Sequence, residues 1–185
     1  FAAVKDDGSV VTWGGDIMDW DFWTETPTGG NSSAVAEQLS GGVQSIFSTK
    51  TAFAALKEDG SVVTWGDPEK GGSSSSVSGK LAGGVSKIFS NAGAFAALKE
   101  DGSVVTWGSS DGGDSSEVDL SSGVEELYSN DYAFAARKSD GSVVVWGNSA
   151  YGGEMAPDMD LNICGKYFNK RLPNHLTIFQ KIKDE

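Results

Sequence analysis

Cysteine is nearly absent from this chain of 185 residues: Cys164 stands alone, so no internal disulfide and no multi-cysteine metal site can form. Histidine is also single, and no serine or cysteine nucleophile motif surrounds His175. No run of eighteen apolar residues occurs, which excludes a membrane-spanning helix. Basic residues are few: 14 Lys and Arg stand against 26 Asp and Glu, a net charge of −12. Five of those bases fall from Lys166 onward, where Asp184 and Glu185 are the only acids. The remainder carries nine bases and twenty-four acids, a body that repels phosphate backbones and argues against nucleic-acid binding. Its acidity is accounted for by keeping a Ser- and Gly-rich surface soluble. An initiator Met is missing as well. The chain opens on Phe1 in the middle of a repeat, which predicts a processed form or a piece of something longer.

What the chain does have is a sentence written several times. AFAALKEDGSVVTWG occupies residues 52–66 and again residues 94–108, with variants FAAVKDDGSVVTWG at 1–14 and AFAARKSDGSVVVWG at 133–147. Self-similarity at a period of 20–50 residues marks solenoids, propellers and arrays.

Within residues 84–108, Val85, Ile88 and Phe89 anchor a short strand, echoed by Val43, Ile46, Phe47 and by Val124, Leu127, Tyr128. The next strand carries Ala94, Ala96 and Leu98 on one face and Phe95, Ala97 and Lys99 on the other. Both faces are largely apolar, as for a strand sandwiched between neighbouring sheets, and the small alanines permit close approach. Asp101-Gly102 predicts a type I′ hairpin turn, and Ser103 to Trp107 a returning strand rich in β-branched and aromatic residues. The spacing of the Asp-Gly pairs lacks the alternating carboxylates of calcium loops, so they read as turns and no metal site is expected. Trp13, Trp65, Trp107 and Trp146 read first as wedges that pack one unit onto the next.

The run GVSKIFSNAGAFAALKEDGSVVTWG resembles the repeat of the regulator-of-chromosome-condensation (RCC1-like) β-propeller superfamily. Its spacing is similar to the short blades of the β-lactamase-inhibitor propellers in that superfamily. The resemblance covers residues 1–153 and implies an all-β RCC1-like β-propeller of about four short blades. Phe stands where the family often has His, GGxSS stands where it often has GQLG, and the family usually has more units. The tryptophans step by 52, 42 and 39 residues. The chain begins with only the second hairpin of a unit. Leu176, Ile178 and Phe179, in HLTIFQ, offer a C-terminal strand that would close the ring; the alternative is an open segment of a larger propeller or an assembly of chains. Residues 1–161 are thus the repeat domain. Residues 162–185 are a basic tail, either a closing strand or a docking extension.

No phosphate-cradling loop is present, because the GG pairs at 29–30, 71–72, 112–113 and 152–153 recur in every unit as turns. No catalytic residue, cofactor or metal is expected, and the chain does not read as an enzyme. One stretch breaks the pattern. The step from Trp to the following GG is six, five and six residues in the last three units but sixteen in the first. The insertion, GDIMDWDFWTETPT at residues 15–28, interleaves Trp20, Phe22 and Trp23 with Asp16, Asp19 and Asp21. Long loops on rigid scaffolds carry binding function, and aromatics of low rotamer entropy make good anchors. Trp20, Phe22, Trp23, Asp19 and Asp21 are therefore the candidate partner-binding residues. The competing reading folds Ile17, Trp20 and Trp23 back as a plug, and the two are compatible if one ring stays exposed. The expected function is a non-enzymatic protein-binding or scaffold module, an accessory subunit of a larger complex, with an unidentified protein partner. The alternative is a lectin-like carbohydrate binder. The acidic body and the secreted relatives of the family point to a secreted or cell-surface location.

Overall fold

The computed structural model describes residues 1–14, 17–19, 24–26 and 29–155. Among them every regular element beyond a single helical turn is a strand. β1 (Ala2–Val4) pairs with β2 (Val10–Thr12), and β3 (Ile17–Asp19) with β4 (Thr24–Thr26). Three complete units follow, each an antiparallel sheet of three strands: β5 (Val43–Ser48), β6 (Ala52–Lys57) and β7 (Val62–Gly66); β8 (Val85–Ser90), β9 (Ala94–Lys99) and β10 (Val104–Gly108); β11 (Val124–Ser129), β12 (Ala133–Lys138) and β13 (Val143–Gly147). The α-helix Ser110–Gly113 is one turn long. The two identical copies fold identically: Phe53 pairs with Trp65 and Ala54 with Thr64, as Phe95 pairs with Trp107 and Ala96 with Thr106.

The hairpin tip departs from the sequence expectation. In the second unit the Gly60 N–H donates to the Lys57 carbonyl and the Lys57 N–H to Ser61, so Glu58 and Asp59 are the central residues. Gly60 follows them with φ +76°, a type I turn closed by a left-handed glycine rather than a type I′ turn. The reason is the serine after the glycine. The Asp59 carboxylate accepts both the Ser61 N–H (2.9 Å) and the Ser61 hydroxyl (2.6 Å), which fixes the aspartate before the bend. The same pair recurs as Asp7–Ser9, Asp101–Ser103 and Asp140–Ser142.

Units stack face to face as propeller blades do. Ala52, Ala54 and Leu56 of one unit cluster with Phe95, Ala97, Val105 and Trp107 of the next, and Ala94, Ala96 and Leu98 with Phe134, Ala136 and Trp146. The alanines are fully buried, and their small side chains let the aromatic face of the following sheet come down on the backbone. First strands of successive units neighbour one another, β5 with β8 and β8 with β11. The turns beyond them are hydrogen-bonded in series, Lys50 N–H to Ala92 and Ala92 N–H to Asp131. The first unit has no described counterpart of β5, β8 or β11. The closing strand read at Leu176, Ile178 and Phe179 lies outside the described residues, as do the tail, Cys164 and His175.

Candidate protein-binding surface

Each junction between units is built around one tryptophan and one glycine. The indole N–H of Trp65 donates to the Gly29 carbonyl at 2.9 Å, that of Trp107 to Gly71 at 3.0 Å and that of Trp146 to Gly112 at 2.9 Å. The same tryptophans stack on a phenylalanine of their own hairpin, with ring centroids 5.2–5.5 Å apart in the three full units. The first glycine of the GG pair lies on that phenylalanine. A Cβ at Gly71 would stand 2.6 Å from the Phe95 ring, and its φ of +98° is left-handed. The second glycine leans on the preceding WG: a Cβ at Gly72 would reach the Gly66 carbonyl oxygen at 2.3 Å. GG pairs are therefore junction elements as well as turns.

The first unit shows that this frame tolerates an insertion. In the later units the span between WG and GG is a tight turn: Pro68–Lys70, Ser110–Gly113 or Ser149–Tyr151. In the first it is the β3–β4 hairpin, with Ile17 paired to Thr26, Met18 to Glu25 and Asp19 to Thr24. Its two ends are nonetheless held like the others, since a Cβ at Gly30 would meet the Gly14 carbonyl oxygen at 2.5 Å. Of the candidate binding residues, Asp19 lies on β3 opposite Thr24. Trp20, Asp21, Phe22 and Trp23, which the sequence places between those two positions, lie outside the described residues.

Two features escaped the sequence reading. One is an open depression of about 330 Å³ lined by the three serial turns, including Lys50, Asn91, Asn130 and Asp131. The Asn91 and Asn130 side-chain oxygens cap their own turns, accepting from Ala94 N–H (2.7 Å) and Ala133 N–H (2.8 Å). The other is a polar cluster in the last unit. Arg137 replaces the leucine of the second and third repeats (Val4 in the first) and binds Glu125 (3.0 Å) and Glu126 (3.1 Å), and Tyr128 replaces a phenylalanine and donates to Glu126 (2.5 Å). Both changes are visible in the repeat alignment, as AFAARK against AFAALK and ELYS against KIFS. The Arg137 and Tyr128 hydrogen bonds hold the Glu126 carboxyl below its usual range, while burial and Glu126 push the Tyr128 phenol up to about 12. At the hairpin tips the serine bonds depress the aspartates, and in the loop before Val124–Ser129 Ser121, followed by Lys138, takes Asp119 down to about 2. Among the described residues no group of His, Cys, Asp or Glu is placed to hold a metal, and no helix is long and apolar enough to cross a membrane.

The stacked units, their Trp–Gly junctions and the serial inner turns are all in view. The fold is that of RCC1-like propeller repeats. The chain is similar to solved propellers of that kind. The ectodomain of the Physcomitrella patens receptor kinase CR4 is 13% identical, with 79% of this chain and 36% of that one covered and a TM-score of 0.47. Yeast RCC1 (Prp20), solved bound to Kap60, is 17% identical, with 79% and 39% covered and a TM-score of 0.47. Prp20p from Saccharomyces cerevisiae is 16% identical, with 81% and 42% covered and the same TM-score of 0.47. The chain thus spans about two fifths of the length of these neighbours. At such identities the likeness is one of fold. No protein-family model and no curated protein sequence matches the chain.

Proposed function

We propose that the chain is a non-enzymatic protein-binding module whose RCC1-like repeats are the scaffold and whose inserted hairpin is the contact. One observation carries this reading. The insertion enters and leaves through Gly14 and Gly30, packed as in the uninterrupted units, so the frame does not need it. A segment that the frame can do without, and that brings three aromatics and alternating aspartates, is best explained by a partner. Trp20, Phe22 and Trp23 supply the anchors, and Asp19 and Asp21 select a partner with a basic rim. Membership of a larger complex and a secreted or cell-surface location belong to the same proposal.

The test replaces residues 15–28 with DPEK, the span between Gly66 and Gly71. The variant is expected to keep its β-type circular dichroism and melting temperature and to lose the partner that the intact chain captures, as are Trp20→Ala and Trp23→Ala. Unfolding of the DPEK variant would show that the aromatics are core. The same rings would also stack on sugar faces. Selective binding on a glycan array, lost in Trp20→Ala, with no protein partner recovered, would replace this reading with a carbohydrate-binding one.

A further inference from the structure

Asp-Gly is the pair in a protein chain that most readily rearranges without an enzyme. The glycine nitrogen attacks the aspartate side-chain carbonyl carbon, its proton leaves with the carboxyl hydroxyl as water, and a succinimide ring closes. Water reopens that ring at either carbonyl and yields aspartate or isoaspartate, in which the main chain is one carbon longer. Glycine favours the attack because no Cβ shields its nitrogen. Asp7-Gly8, Asp59-Gly60, Asp101-Gly102 and Asp140-Gly141 put this pair at four hairpin tips, with each aspartate exposed. Rearrangement there would reach beyond the tip, because the tips are also seams between units. The Gly8, Gly60 and Gly102 carbonyls accept the N–H of Val43, Val85 and Val124 of the next unit at 2.9–3.0 Å. A Cβ on those glycines would stand 2.8–3.0 Å from the next unit's backbone nitrogen, so an inserted carbon finds no room.

We infer that these four aspartates are isoaspartate sites held closed by the fold, and that the serine after each Asp-Gly pair is the positioning residue that holds them. At every tip one carboxylate oxygen accepts both the serine N–H at 2.9 Å and the serine hydroxyl at 2.6 Å. The carboxyl group is thereby tied to the residue beyond the glycine whose nitrogen would attack it. That nitrogen is engaged as well, its N–H donating to the lysine carbonyl three residues back at 2.9–3.0 Å. The serine hydroxyl is also the chief cause that holds each of these carboxyls below its usual range. Only the neutral carboxyl has a hydroxyl to lose, so the same bond thins the reactive form. The repeats keep the serine while the residue before the pair varies, as Asp6, Glu58, Glu100 and Ser139. The fifth Asp-Gly pair, Asp111-Gly112, is followed by Gly113 and has no such serine.

The experiment ages the full chain at about pH 6 and about 37 °C for about four weeks and scores isoaspartate tip by tip, by mass spectrometry of tryptic peptides. Cleavage after Lys57 and Lys99 puts Asp59 and Asp101 on different peptides, so the identical copy is an internal control. A capped synthetic peptide of residues 57–62 gives the rate without the fold. The four tips are expected to isomerise at least tenfold more slowly than that peptide. Ser61→Ala should speed Asp59 at least threefold and leave Asp101 unchanged, and Ser61→Thr, which restores a hydroxyl, should return Asp59 to its original rate. A serine that merely steadied the turn would act through stability, and Val85→Ala separates the two. Val85 is buried in the same seam, so this variant lowers the melting temperature, yet it keeps both serine bonds and should leave Asp59 slow. Circular dichroism checks the fold of each variant. Tips that age as fast as the peptide would overturn the proposal. So would an unchanged Asp59 rate in Ser61→Ala, no return in Ser61→Thr, or equal acceleration in Val85→Ala.

Discussion

Trp107 and Trp13 occupy the same place in the repeat but should differ widely in what they contribute. Trp107 is 3% exposed, lies 5.2 Å from the Phe95 ring and donates to the Gly71 carbonyl at 3.0 Å. Truncating a buried tryptophan costs about 3–5 kcal/mol through lost transfer energy and the cavity left behind. Trp107→Phe keeps most of the apolar volume but strands the buried Gly71 carbonyl, a cost of about 1–3 kcal/mol. Trp13 is 51% exposed, and beyond its backbone pairing its main contact is the Phe1 stack, worth about 0.5–1.5 kcal/mol. For a chain of this size a kcal/mol moves the melting temperature by about 2–4 °C. Trp107→Ala should therefore lower it by about 6–20 °C and Trp13→Ala by no more than about 6 °C, measured by circular dichroism at about 1 µM. Equal losses would refute the reasoning, because the tryptophan's weight would then come from its own hairpin and not from the adjoining unit.

Other outcomes follow from the same geometry. Gly71→Ala should destabilise by about 2 kcal/mol or more, through left-handed strain and the clash with Phe95, whereas Gly79→Ala, with open space at its Cβ, should be neutral or stabilising by up to about 1 kcal/mol in the same melts. The tip aspartates, and Asp119 in the loop before Val124–Ser129, have folded-state pKa values below their unfolded ones, so their contribution is present above about pH 4 and is lost as pH falls through the folded values, which for Asp119 lies at about 2. Ser121→Ala should raise the Asp119 pKa towards the ordinary carboxylate value in an NMR titration, with the residual depression set by Lys138. Replacing residues 15–28 with DPEK should leave the melting temperature unchanged while partner capture is lost.

Much of this fold was legible in the sequence because each repeated residue type has one physical use. β-Branched and aromatic runs bounded by glycine became strands, alanine faces became the closely packed side of each sheet, and the repeated tryptophans became wedges. The turn type was misread because the dipeptide Asp-Gly fits two hairpins equally well. The deciding group is the serine after it, whose hydroxyl and N–H both bind the carboxylate. The GG pairs were read as turns, but their second use depends on a ring in the next unit, 24 residues further on from Gly71 to Phe95, which no local pattern shows. Of the candidate binding residues only Asp19 falls on a described strand, so the aromatic anchors stand on chemistry and position in the sequence alone.

Repetition also makes departures informative. A lone arginine on a strand means little, but Arg137 sits where Leu56 and Leu98 are buried, and Tyr128 where Phe47 and Phe89 pack on the following unit. Placing a guanidinium under another sheet would cost far more than its two carboxylate bonds return, unless every donor were satisfied there. On a face with no first strand against it among the described residues, the same group stays partly solvated beside Glu125 and Glu126. Here the polar residues cover only the half that a first strand would occupy and leave the alanine and glycine half unchanged. Arg137 and Tyr128 thus depart at positions that in the other units pack on the following unit, while Ala133, Ala135 and Gly147 keep the repeated residues.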